Sequence, residues 1–305
     1  MSELRFDGRV AIVTGAGGRP SLGRSYAHLL AARGAKVVVN DLGVGPDGRG
    51  VVRADAEAVA QEIRDAGGEA IADTNSVAEE DTARAVVQTA LDAWGQVDIL
   101  VNNAGVAILA EFDEISSADI EKVIQVHVFG NIWMSRAVWP HMKERGYGRI
   151  VSASSGAFLG LRYVTIYGTA KGAIMSLMRG LAVEGREHGI KTNAIGPAAL
   201  TIALQTLSKE EVSQYAPPAE LVAPTVAFLC HEDCPHTGGY FESGGGRTTM
   251  RRFAETQGYT NPELTLEDVR DNFDQIMSTE DITLVPEPAD NPMADVIDPK
   301  PYVPA

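Results

Sequence analysis

Arg9-Val-Ala-Ile-Val-Thr14, running into Gly15-Ala-Gly-Gly-Arg-Pro-Ser-Leu-Gly23, is the stretch on which the fold turns. A short run of apolar, mostly β-branched residues suits a strand buried on both faces. The glycines after it let backbone approach a phosphate group. The amphipathic stretch 24–33, closed by Gly34, reads as a helix whose N-terminus favours negative charge. Strand, glycine turn and helix in this order open a dinucleotide-binding unit. Gly15, Gly17, Ser21, Leu22 and Gly23 are therefore candidate cofactor residues.

Outward from this unit, strands and helices alternate. Strands are expected at 36–40, 69–72, 97–102, 149–152 and 191–195. Helices are expected at 54–66, 81–94, 118–145 and 167–188, and the Gly-rich residues 43–50 read as a loop. The pattern predicts the α/β class, a single-domain Rossmann-type doubly wound parallel sheet with helices on both faces. Residues 1–250 form the dinucleotide-binding and catalytic part. Residues 251–305 add a helix at 266–277, capped by Thr265, and an acidic Pro-rich tail. From Ser278 onward the chain holds six of its 15 prolines and six acids against one lysine. That composition builds no core, so the tail reads as an extended or disordered segment, or as an arm packing on a partner subunit.

Composition narrows the function. The 305 residues are 45% hydrophobic and 22% charged, which are ordinary globular values. Lys plus Arg is 26 against 41 Asp plus Glu, a net charge of −15. An acidic surface repels phosphate backbones and anionic lipid heads, so no nucleic-acid or membrane partner is expected. No apolar run spans a bilayer, and the polar start before Gly8 has no signal-peptide pattern, so a cytoplasmic location is expected. The two cysteines lie in Cys230-His-Glu-Asp-Cys234-Pro-His236, readable as part of a metal site or as a helix end running into a polar turn. No second ligand cluster accompanies them, so no metal is expected.

Chemistry concentrates at strand ends, which line the ligand crevice of an open parallel sheet. Asp41 ends the second strand, 18 residues after Gly23. An acid there accepts hydrogen bonds from ribose hydroxyls and repels a 2′-phosphate, which favours NAD over NADP. Asn75-Ser76-Val77 and Asn103-Ala104-Gly105 close two further strands and are cofactor candidates. Tyr167 and Lys171 stand four residues apart, on one face of a helix. A cation near a phenol favours the phenolate and makes the tyrosine a usable acid/base near neutral pH. Ser154 or Ser155, closing the preceding strand, offers a hydrogen bond to a carbonyl oxygen; strand register favours Ser155, and counting back from Tyr167 favours Ser154.

Thr14-Gly15, Asn102-Asn-Ala-Gly105, Ser154-Ser155, Tyr167-x3-Lys171 and Asn193-x3-Pro197 resemble, in order and spacing, the short-chain dehydrogenase/reductase family. Val38-Val-Asn-Asp-Leu-Gly43, Gln125-Val-His-Val-x-Gly130, Ala182-Val-Glu-Gly-Arg186 and Leu229-Cys-His-Glu-Asp-Cys234 are similar to one branch, the (3R)-hydroxyacyl-CoA dehydrogenases of the multifunctional peroxisomal type and their bacterial relatives. The resemblance implies that Tyr167 is the general acid/base and that Lys171 holds the nicotinamide ribose. It implies that a serine of the 154–155 pair orients the substrate oxygen and that Pro197 packs along the nicotinamide. It also implies a homodimer or homotetramer built on the long helices. The expected substrate is a 3-hydroxyacyl-CoA, with a steroid or other bulky alcohol as the alternative and a non-catalytic NAD sensor as the remote one. Arg247, Arg251 and Arg252 are candidates for a CoA site or a plain solvated basic face, and 198–217 is the expected substrate lid.

Two departures from the family pattern stand out. The glycine turn is two residues longer than the family's, with Ser21 where the middle glycine is expected. The usual helix Asn is replaced by His127, readable as a partner in proton relay or as a buried, hydrogen-bonded histidine.

Overall fold

A computed structural model describes residues 3–43, 45, 47, 49, 56–199 and 216–291. The first strand, β1 (Val10–Thr14), is buried along its whole length, which is why Val10 to Val13 are all apolar rather than apolar at alternate positions. The parallel strands β2 (Lys36–Asn40), β3 (Glu69–Asp73), β4 (Ile99–Asn102), β5 (Gly148–Ala153), β6 (Ile190–Pro197) and β7 (Tyr240–Gly244) join it, and β8 (Arg247–Arg251) adds an antiparallel edge. The order is β3-β2-β1-β4-β5-β6-β7-β8.

Helices cover both faces. On one, α1 (Leu22–Ala32), α2 (Ala56–Asp65) and α7 (Ala223–Cys230) bring Leu30, Ile63 and Val226 onto Ala11, Val13 and Val39. On the other, α3 (Glu80–Trp94), α5 (Gly130–Arg145) and α6 (Thr165–Glu184) bring Val86, Met134 and Met178 onto Ile12, Val38 and Leu100. Each such side chain contributes about 1.5–3 kcal/mol by leaving water. The region expected as one helix over 118–145 is α4 (Ser117–Ile124), a π-helical turn (Gln125–Phe129) and then α5.

The end of the chain departs from expectation. β7 and β8 carry glycine and polar residues and lie beyond the alternating region, so no strand was expected there. The helix expected over 266–277 is two pieces, α8 (Leu266–Asp271) and α9 (Phe273–Met277), separated by Asn272, whose N–H still reaches Asp268. As far as Asn291 the Pro-rich segment packs on its own chain; the rest of the expected tail lies outside the described residues. Its β10 (Thr283–Leu284) pairs antiparallel with β9 (Ala254–Glu255). Glu287 is buried and ion-paired to Arg179 of α6 (3.2 Å) and to Arg252 (3.0 Å). Arg186 adds a hydrogen bond to the Pro288 carbonyl (3.4 Å), so side chains from outside the segment hold it.

Glu287→Ala is expected to cost about 1–3 kcal/mol, because both guanidinium groups lose their acceptor. The denaturant midpoint should fall, and the Val285 amide, which bonds the Phe253 carbonyl at 2.9 Å, should exchange faster.

Candidate active site

Strand order reverses between β1 and β4, and the loops leaving these two strands run apart. They are stitched at their origin. The Thr14 hydroxyl accepts the N–H groups of Asn103 and Ala104 (both 3.0 Å), and the Asn103 amide donates to the carbonyls of Thr14 (3.0 Å) and Gly15 (2.9 Å). Gly15 has φ +65°, and a Cβ there would sit 2.7 Å from the Ala104 Cα. At Gly23 a Cβ would sit 2.4 Å from the Gly15 carbonyl oxygen. Ser21 caps α1 by accepting the Arg24 N–H and turns its hydroxyl to the Gly15 carbonyl (3.3 Å). Asp41 accepts N–H groups from Gly17 (2.8 Å) and Gly43 (2.9 Å), tying the glycine turn to the end of β2.

The cleft above these groups has a volume of about 1120 Å³. Gly15, Gly17, Ser21, Leu22, Asp41, Asn75, Ser76, Val77, Asn103, Ala104, Gly105, His127, Ser154, Tyr167, Lys171 and Pro197 all line it. Gly23 and Ser155 are not part of that lining; Ser155, half-buried, follows Ser154 at its border. The room, and a backbone cradle that side chains at Gly15 and Gly23 would fill, fit a dinucleotide. Sequence reasoning missed Asp73 beneath the floor: it accepts the Asn40 amide (2.7 Å), the Asn75 amide (2.9 Å) and the Thr89 hydroxyl (2.8 Å). Its place at the end of β3 was the available signal. Arg19, in the extended turn, also lines the cleft and was not singled out.

Strand β5 and helix α6 are clasped by reciprocal bonds. The buried Ser154 hydroxyl donates to the Lys171 carbonyl (2.8 Å), and the Lys171 ammonium donates to the Ala153 carbonyl (2.5 Å). Ser155 faces the other way: it accepts the Ala157 N–H (3.2 Å) and hydrogen-bonds the Tyr167 phenol. The two serines expected as alternatives thus divide, one bonding the helix backbone and the other the tyrosine. Lys171 Nζ lies 5.3 Å from the Tyr167 ring centroid. Burial pushes the Lys171 ammonium down to about 7. Burial also raises Tyr167, with the Ser155 hydrogen bond opposing it. The expected lowering of the phenol by Lys171 is not seen: burial raises it, and the opposing influence is the Ser155 hydrogen bond.

His127 sits in the π-helical turn, fully inside. Its Nε2 is 2.7 Å from the Val106 carbonyl, and its ring meets Tyr167 edge-on at 5.3 Å. Burial, with Lys171 nearby, holds it well below the ordinary histidine range, so it is neutral. Its backbone carbonyl accepts the Asn131 amide at 2.7 Å.

The remaining candidates do not gather here. Cys230 is packed in the core under α1, and His231 bonds the Arg5 carbonyl and the Asp233 N–H. Among the described residues no group of three or more His, Cys, Asp or Glu side chains is placed to hold a metal. Arg251 pairs with Glu242 (2.7 Å) and Arg252 with Glu287. The expected lid lies almost wholly outside the described residues. No helix among the described residues is long and apolar enough to cross a membrane.

A crevice of dinucleotide size, walled by a phenol with an ammonium behind it, suits proton transfer coupled to nicotinamide chemistry; the class is a nicotinamide-dependent oxidoreductase. Residues 9–212 match the short chain dehydrogenase family, and the chain belongs to that family. It is similar to the mouse peroxisomal multifunctional enzyme type 2 (42% identity, covering 90% of this chain and 37% of the mouse protein). A putative short-chain type dehydrogenase/reductase of Mycobacterium tuberculosis is 45% identical, covering 78% of this chain and 83% of that one. The solved full-length peroxisomal multifunctional enzyme type 2 of Drosophila melanogaster superposes with a TM-score of 0.76 at 33% identity, over 94% of this chain and 48% of that one. The chain thus spans well under two thirds of the mouse and fly proteins.

Lys171 makes a pH test. Its ammonium titrates at about 7 in the folded chain against an ordinary value of 10.5. Between those values the unfolded chain holds the extra proton, so the burial penalty is full below pH 7 and fades toward 10.5. The unfolding free energy of the wild type should therefore rise relative to that of Lys171→Met as pH climbs from 7 to 10, shifting the difference in Tm by at least about 2 °C.

Proposed function

We propose that the chain is an NAD-dependent dehydrogenase of secondary alcohols whose substrates are 3-hydroxyacyl-CoA thioesters. The observation that carries the reaction type is the half-buried Tyr167 phenol, hydrogen-bonded by Ser155, with the Lys171 ammonium beside its ring. Asp41 supports NAD, because its carboxylate at the end of β2 repels a 2′-phosphate. Likeness to the mouse and fly multifunctional enzymes supports the acyl-CoA class.

In the oxidation direction Ser155 holds the substrate hydroxyl and Tyr167, as phenolate, takes its proton. When bound, the nicotinamide supplies the acceptor for the hydride leaving the carbinol carbon. Lys171 stabilises the phenolate by charge, and Pro197 and Gly105 border the space left for the nicotinamide. Neutral His127 holds the edge of the Tyr167 ring and adds no charge to it. Ser154 acts through Lys171, fixing α6 against β5. A homodimer or homotetramer is supported by exposed apolar side chains on the helices and the C-terminal extension, among them Phe129, Phe253, Leu266, Phe273 and Met277.

The test is reduced-nicotinamide absorbance with NAD or NADP against (3R)- and (3S)-hydroxyacyl-CoAs, hydroxysteroids and simple secondary alcohols. NAD-dependent turnover of an acyl-CoA is expected, falling about 10²–10⁴-fold in Tyr167→Phe. Turnover of steroids or simple alcohols alone overturns the acyl-CoA assignment and keeps the chemistry. Ser155→Ala is expected to lower kcat about 100-fold or more, and Ser154→Ala to act mainly on stability; the reverse ranking would exchange the two roles.

A further inference from the structure

The two extra residues of the glycine turn bring an arginine to the cofactor cleft. Arg19 follows Gly17, whose N–H bonds Asp41, by two residues, and among the described residues it is the arginine that lines the cleft. Its side chain is about half exposed and its guanidinium is paired with Glu62 of α2. Glu62 lies one helical turn beyond Ala58, itself part of the cleft wall. The same carboxylate binds Arg24 (Nη2 at 2.7 Å, Nε at 3.0 Å) and His28 (3.0 Å). Partial burial pushes the Glu62 carboxyl up, but hydrogen bonds from Arg24 and His28 outweigh it and keep the group ionised.

Two arginines on one carboxylate leave positive charge beside the end of the cleft marked by Asp41. NADP differs from NAD by one 2′-phosphate on the adenosine ribose. A guanidinium recognises that group well, through paired N–H donors and full charge. The arginine closest in sequence to Asp41's partner Gly17 is engaged elsewhere, by Glu62.

We propose that Glu62 is a second selectivity residue for NAD over NADP, acting by holding the Arg19 guanidinium away from the 2′-phosphate position. The inference rests on the NAD reading above and on Asp41 marking the adenosine end. Asp41 excludes the phosphate by repulsion; Glu62 withholds the cation that would compensate. Without the Glu62 charge, Arg19 is free to turn into the cleft and bind the phosphate.

Fluorescence titration of the full chain with NADH and NADPH tests this without turnover. Glu62→Gln is expected to shift the affinity ratio toward NADPH by about tenfold. Adding Arg19→Ala to that variant should return the ratio to the wild-type value, while Arg19→Ala alone should leave it within about twofold. An unchanged ratio in a Glu62→Gln protein that still binds NADH overturns the proposal, as does a gain that survives the double substitution. Should Glu62→Gln not fold, Glu62→Asp, with a shorter reach to Arg19, is expected to shift the ratio in the same direction, and no shift overturns the proposal. A wild-type preference for NADPH is a different failure, visible before any substitution, and removes the NAD reading itself.

Discussion

The hydrogen bonds between Thr14 and the Asn103–Ala104 backbone are the constraint on which the site depends. At a switch in strand order the two loops leave the sheet in opposite directions, and nothing in sheet pairing fixes their spacing. The Thr14 hydroxyl and the Asn103 amide fix it. They also supply partners for N–H and C=O groups that the end of pairing leaves bare. With that junction set, Gly15 and Gly23 bring the turn close to α1, and Asp41 bonds the turn from β2. The cradle is therefore held together by the chain's own hydrogen bonds.

The reacting groups are held by a similar economy of backbone contacts. Ser154 and Lys171 exchange hydrogen bonds with each other's elements, so α6 cannot slide along β5 without breaking two buried bonds. That precision has an electrostatic cost, since burial opposes charge on both Lys171 and Tyr167. The site keeps its cation and its phenol in surroundings that favour neither ion, so added charge or an added donor has a large effect on their protonation. Ser155 is one such donor.

Much of this was legible in the sequence, for physical reasons that also mark where legibility stops. Parallel central strands are buried on both faces, so β1, β2 and β4 announce themselves as unbroken apolar runs. β7 and β8 could not be read, since a mixed run such as Arg247–Arg251 looks like loop unless its partner is known. The docking of the Pro-rich segment was invisible for the same reason: Arg179 and Glu287 are 108 residues apart, and neither marks the other. Tyr167 and Lys171 were readable because one helix fixes their separation. Ser154 and Ser155 stay alternatives in the sequence because adjacent residues at a strand's end point opposite ways and find different partners.

The π-helical turn at Gln125–Phe129 also divides the segment that reads from its pattern as one helix over 118–145. A turn of this kind carries one more residue than an α-helical one, so the apolar stripe slips in phase by about 100° where it occurs. α4 and α5 are one continuous rod by backbone, yet they address different neighbours: α4 faces α6, and α5 faces α3 and the sheet. The extra residue lets one continuous helical segment serve two surfaces. Aligning this chain by helical periodicity alone would misassign every position on one side of His127.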